Sequence, residues 1–352
     1  MTSIDKAAAA FERQLAFCEQ LGSPLMARLL RVLATDIKAG GPVAELLKPF
    51  EGDPISSALA LRVAGAFHRR ALDNPTSSLA QLYPSCGGDG GATLDDDAVR
   101  RLLNDDLAAH STHYARYLES PPQTNEVGRS AVMVGGYLLI AAETRLPLDV
   151  CEIGASAGLN LGFDQFYYDL GGVTIGDPHS PVKLVPDWHG KPLPEVTPLN
   201  VRSRKACDIA PLDIALPETE RRLASYIWPD QPERMARLTG ATSLARSLDV
   251  KVEKASADDF VVRTLRERAP GGVLVIAHTI MWQYLPEDMR KDIEQTIHEA
   301  GAVATADAPI AWLRLEPRDP IDPPSLQLTL WPGGESRDLA IAHPHGSSVQ
   351  WL

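Results

Sequence analysis

The feature that most constrains this 352-residue chain is the position of its first strand-like run. Nearly everything before residue 145 carries apolar residues at helical spacing: Phe11, Leu15 and Cys18 in FERQLAFCEQL, then Leu25, Leu29 and Leu33 after Pro24. ISSALALRVAGAFHRRALD reads as a second strong helix, and DDDAVRRLLNDDLAAHSTHYARYLE as a third with acids in its first turn. The glycine-rich PSCGGDGGATLDDD between them reads as a connector. LDVCEIG, starting at Leu148, is the first short apolar run that ends in a glycine turn.

From there the pattern alternates. GLNLGFDQFYYDLGG is expected to be a helix closed by glycines, and residues 173–199 an inserted ribbon or lid. Strands are expected in VRSRKACD, VKVEK, GGVLVIAHT and PIAWLRLEP, with a helix in PEDMRKDIEQTIHEAG ended by Gly301. LQLTLW and LAIAHP, joined by PGGESRD, read as an antiparallel hairpin. The expected architecture is an all-helical N-terminal domain over 1–145. A doubly wound, mostly parallel Rossmann-like α/β domain follows over 146–352, carrying the insertion and the C-terminal hairpin.

Composition narrows the function. The net charge of -12 disfavours a general nucleic-acid binder, whose surface must neutralise phosphates. No run reaches the roughly 18 apolar residues of a membrane span, and Asp5 and Lys6 interrupt any secretory leader. Four scattered cysteines form no CxxC pair and suit a reducing, cytoplasmic setting. The pairs His110/His113 and His343/His345 have no companion cysteine or carboxylate at a standard spacing, so no metal is expected. A small molecule is the expected partner; the sequence leaves the oligomeric state open.

The chemistry concentrates in Gly154-Ala155-Ser156-Ala157-Gly158. One reading is a nucleophile elbow presenting Ser156, with acids and then His343 or His345 downstream, as in an α/β-hydrolase. The other is a glycine loop after the first strand of a doubly wound sheet, which is where such folds hold a cofactor. Because LDVCEI follows a helical half, the second reading is preferred and the hydrolase kept as an alternative.

Glu152-Ile-Gly154-Ala-Ser156-Ala-Gly158 resembles the acidic-x-Gly-x-Gly-x-Gly first motif of class I S-adenosylmethionine-dependent methyltransferases, with Ser156 in place of the middle glycine. The resemblance covers roughly residues 148 to 345. With TNEVGR, IWPDQPER and HPHG, the whole chain also resembles a bacterial family of unknown function.

The methyltransferase resemblance implies S-adenosylmethionine as cofactor, with Glu152, Gly154, Ser156 and Gly158 at its methionine portion. It implies Asp208 at the ribose, with Asp177 as rival, and Asp258 at the adenine amino group. Alone, Glu152 also reads as a solvent-facing strand-end acid, Asp177 as a turn aspartate and Asp258 as part of a helix cap. His278 is the expected general base, Thr279 and Tyr284 the acceptor-positioning groups, and Arg129 a holder of an anionic substrate. The methyl acceptor and the role of HPHG at 343–346 stay open, as does a cofactor-binding module without catalysis.

Overall fold

The computed structural model describes residues 3–193, 198–319 and 322–352. Its first helices are α1 (Ser3–Gln20), α2 (Pro24–Lys38), α3 (Pro42–Leu47) and α4 (Leu59–Asp73). Then come α5 (Asp96–Ala109), α6 (Ser111–Leu118) and α7 (Ser130–Thr144). The strands begin with β1 (Leu148–Ile153), β2 (Tyr167–Leu170), β3 (Val173–Ile175), β4 (Lys183–Leu184), β5 (Asp187–Gly190) and β6 (Val201–Asp208). Helices α8 (Pro217–Ser225) and α9 (Pro232–Ser247) lead to β7 (Glu253–Lys254), α10 (Ala257–Glu267) and β8 (Val273–Thr279). The chain ends with α11 (Glu287–Ala302), β9 (Ile310–Glu316), β10 (Ser325–Trp331), β11 (Glu335–Ala342) and β12 (Ser348–Trp351).

These elements form two compact units, Met1–Thr124 with Pro217–Ala236, and Asn125–Leu216 with Arg237–Leu352. In the first, the helical-period residues Phe11, Leu30, Leu33, Ile37, Val63 and Phe67 are buried in one cluster. The long helix read over residues 95–119 breaks at His110, whose φ of -135° interrupts the helical backbone between α5 and α6. Asp95 caps α5 by accepting from Ala98 N at 2.7 Å.

The second unit is mixed α/β. Its large sheet has the order β5-β12-β11-β10-β9-β8-β1-β6-β7. Strands β9, β8, β1, β6 and β7 are parallel neighbours, while β9 through β12 run antiparallel in sequence. Side chains alternate across it. Cys151, Ile153, Ile276 and Trp312 share a cluster with Phe260 of α10 and Ile293 of α11. The intervening residues face the other way, where α7 packs on β9, β10 and β11. That packing puts α7 in the second unit, although the boundary expected at 145 grouped it with the helices before it.

One local expectation is corrected and two details are added. After Gly158 the chain forms a seven-residue 3-10 helix, Leu159–Gln165, and then β2, not an α-helix. The 173–199 segment supplies β3 and β4, which pair with β2 in a small separate sheet, and β5, which joins the edge of the large one; residues 194–197 lie outside the described residues. A strand not foreseen, β12, completes the C-terminal end and pairs with both β11 and β5. The expected hairpin is present as β10–β11, closed by Gly334 N donating to Leu330 O at 2.9 Å. Among the described residues no helix is long and apolar enough to cross a membrane.

Candidate functional site

β1 lies between β6 and β8, so the order of the parallel strands reverses at it: β6 and β7 lie on one side, β8 and β9 on the other. In open α/β sheets such a point opens a crevice at the carboxyl ends of the strands. The loop after β1 sits there. Gly154, Ser156 and Gly158 all have positive φ, +67°, +55° and +72°. A Cβ at Gly154 would meet the Met281 side chain at 2.9 Å, so only glycine fits that backbone. Ser156 holds a left-handed conformation that costs a non-glycine residue on the order of 1–3 kcal/mol unless its surroundings enforce it. They do: Ala155 N donates to Cys207 O (3.1 Å), Ser156 N to Asp208 Oδ2 (2.8 Å), and Leu212 N to Ser156 O (3.1 Å).

Asp208 therefore pins the loop to the end of β6, and its second oxygen accepts from Ala210 N at 2.9 Å. Its rival Asp177 accepts from His179 N within a turn after β3 (2.8 Å), in the turn role its sequence suggests. Ser156 is only 5% exposed, and its Oγ is buried with no hydrogen-bond partner among the described residues. Leu159 N, the first N–H after the loop, donates to Asn125 Oδ1 at 2.9 Å. Asn125 thus satisfies the start of the segment after the glycine loop.

Glu152, one residue from the end of β1, is 7% exposed. Burial pushes its pKa up to about 8; Arg129 pulls it down and Asp208 pushes it up further. It is not the solvent-facing acid that its position alone suggested. Arg129 is itself oriented: its Nε donates to Pro344 O (3.1 Å) and a terminal nitrogen to Thr279 O (3.2 Å). HPHG thereby acquires a structural role, as the turn whose carbonyl steers Arg129.

The three expected acceptor-side residues are not brought together. His278 is 0% exposed, sandwiched against Trp282 and Trp312. Trp312 Nε1 donates to His278 Nε2 at 3.1 Å, so the proton of the ring sits on Nδ1 and is donated to Glu316 Oε1 at 2.7 Å. Both nitrogens are occupied inside the core, and the expectation of a substrate-facing general base is corrected accordingly. Thr279 is nearly buried with its carbonyl turned to Arg129, while Tyr284 is 71% exposed beyond β8. His278→Ala is expected to lower stability by roughly 2–4 kcal/mol, because it opens a cavity and strands Trp312 Nε1 and Glu316. Thermal denaturation checks this; an unchanged midpoint would contradict the core assignment.

Glu316 is the residue that the sequence did not single out. It ends β9, and its Oε1 accepts from both His278 Nδ1 and Met281 N (3.1 Å), fixing the turn that covers Gly154. Its Oε2 is buried without a partner among the described residues, as is Asp258 Oδ1 at the start of α10. Ser256 Oγ, expected in a cap with these acids, donates to Asp259 Oδ2 at 3.0 Å. No local pattern marks Glu316, because its partners lie on β8.

The fold and site define an α/β protein with a glycine loop and a nearly buried carboxyl at the carboxyl end of a central parallel strand. Comparison with known families places the chain: it belongs to DUF2332, described as an uncharacterized protein conserved in bacteria, whose family model matches residues 8–351. No curated protein and no solved structure shows a match to it.

Proposed function

We propose that this protein binds S-adenosylmethionine over Gly154–Gly158 and acts as a methyltransferase-like enzyme on a small molecule. The observation that carries the reading is Glu152: a carboxyl only 7% exposed beside a glycine loop, whose pKa burial pushes up to about 8. Burying an ionised acid is unfavourable, and a cationic ligand group is what would relieve it. The parallel strands, numbered in order of appearance, run 3-2-1-4-5 across β7, β6, β1, β8 and β9, which supports a Rossmann-like arrangement. The helices of residues 3–118 support the reading of a helical N-terminal domain.

The residues fit such a cofactor at its cationic end. Glu152 would answer the ammonium of the methionine portion, Gly154 and Gly158 would give the backbone its close approach, and Asp208 would keep Ser156 in the loop conformation. When bound, the cofactor supplies a methyl group on an electrophilic sulfonium. Asp258 Oδ1 and Glu316 Oε2, both lacking partners among the described residues, are two further acceptors that a polar ligand would satisfy. Ser156 Oγ has no histidine partner among the described residues, so the base needed by a nucleophilic serine is not provided there.

The burial of His278 favours a second reading, a binding module that has the cofactor site without a general base. Calorimetric titration with S-adenosylmethionine and S-adenosylhomocysteine tests the shared premise. Methyl transfer to a panel of small acceptors separates enzyme from module. Absence of binding at millimolar ligand would remove both.

A further inference from the structure

Within the first unit, Ser85 and His68 form an arrangement that neither the glycine loop nor its ligand explains. Ser85 lies on a 3-10 turn, Pro84–Cys86, and is partly exposed, whereas the His68 ring is buried beneath it. Ser85 Oγ is 2.7 Å from His68 Nε2, and His68 Nδ1 is 3.1 Å from the carbonyl oxygen of Ser225. A carbonyl can only accept, so Nδ1 carries the proton and Nε2 presents its lone pair to the serine hydroxyl. The ring is locked by stacking on Tyr83, with centroids 5.1 Å apart and planes 4° from parallel.

This is the polarity of a nucleophile, its base and the group that orients the base. We propose that Ser85 and His68 form a catalytic dyad for carboxylic esters, with Ser225 O as the orienting group. Ser85 Oγ forms a bond to the ester carbonyl carbon while His68 Nε2 takes its proton. The proton then passes to the departing alkoxide as the C–O bond breaks, leaving an acyl-serine and an alcohol. Water, deprotonated by the same nitrogen, cleaves the acyl-serine to a carboxylic acid and restores Ser85. Burial lowers the His68 pKa to about 4, so the ring is unprotonated across the neutral range. The N–H groups of Cys86, Gly87 and Gly88 are spent on the carbonyls of Tyr83 and Pro84 (2.8–3.1 Å). Turnover without those donors is expected to be slow, since one oxyanion donor contributes about 100- to 1000-fold.

The test is a fluorophosphonate probe on the full chain, with the modified peptide located by mass spectrometry. The dyad predicts labelling of Ser85, retained in Ser156→Ala and lost in Ser85→Ala, a substitution at a partly exposed turn whose fold is checked by its thermal midpoint. The labelling rate should be flat from about pH 6 to 8 and fall only as the pH nears the His68 value of about 4. p-Nitrophenyl acetate hydrolysis should fall at least about 10-fold in Ser85→Ala. No labelling, or labelling that survives Ser85→Ala, would overturn the dyad. Neither result depends on whether the second unit binds S-adenosylmethionine.

Discussion

Replacing Glu152 with glutamine is expected to stabilise the protein above pH 8 and to leave it almost unchanged near pH 4. The folded-state pKa is raised from the ordinary 4.5 to about 8, so the folded protein holds a proton that the unfolded chain gives up. Between those values the folded state binds more protons, and stability declines as pH rises. The carboxyl's contribution is thus fully present below about pH 4.5 and lost by the time pH has passed 8. At 1.36 kcal/mol per unit, the loss is on the order of 3–5 kcal/mol. Glutamine keeps the shape and cannot ionise, so the difference between variant and wild type should open across that window. Chemical denaturation at pH 4, 6 and 9 reads it directly. Parallel pH profiles for the two proteins would contradict the raised pKa of Glu152.

Gly346→Ala is expected to cost at least about 3 kcal/mol, a large single-residue effect. Gly346 has φ +68°, which disfavours alanine by itself. The added Cβ would also collide with the carbonyl oxygen of Gly128, where two backbone segments cross without a side chain between them. Backbone cannot rotate aside as a side chain does, so either the HPHG turn or the 3-10 turn at Val127–Arg129 must move. Movement of Pro344 O would release Arg129 Nε and so loosen the cation nearest Glu152. Gly172→Ala is the control: its φ is +93°, yet nothing lies within 4 Å of the added Cβ, so it isolates the conformational penalty. A thermal midpoint of Gly346→Ala no lower than that of Gly172→Ala would refute the crossing. At roughly 2–4 °C per kcal/mol, a fall of about 6 °C or more is expected.

The elements that the sequence predicted well are those whose pattern is local. β8 is buried at every position and reads as an unbroken apolar run, and the β10–β11 hairpin is announced by Gly333-Gly334. What the sequence concealed depends on distant partners. β5 and β12 pair across some 160 residues, and neither is apolar enough to be recognised alone. After Gly158, Leu159, Leu161, Gly162 and Phe163 are all buried, and the segment winds as a short 3-10 helix instead of the α-helix expected there. His278 was read from its place at a strand end, but its environment comes from β9, where Trp312 and Glu316 flank the residue paired with it, Arg314. Glu152, Gly154 and Asp208 are legible as candidates because one short stretch and one strand end carry them, and the structure joins Ser156 N to Asp208 Oδ2. Glu316 was missed because its meaning exists only in the register of two strands.

If Glu152 is protonated in the free protein and meets the cationic end of the proposed cofactor, binding should release its proton. Calorimetry with S-adenosylmethionine at pH 7, repeated in buffers of different ionisation enthalpy, counts protons exchanged per ligand bound. With a folded-state pKa of about 8, the account predicts release of nearly one proton by the wild type. Glu152→Gln should bind at least about 10-fold more weakly and release none from this position, a loss of roughly 1.4 kcal/mol or more. Binding with the same affinity and the same proton count in both proteins, or no binding by the wild type at millimolar ligand, would contradict it.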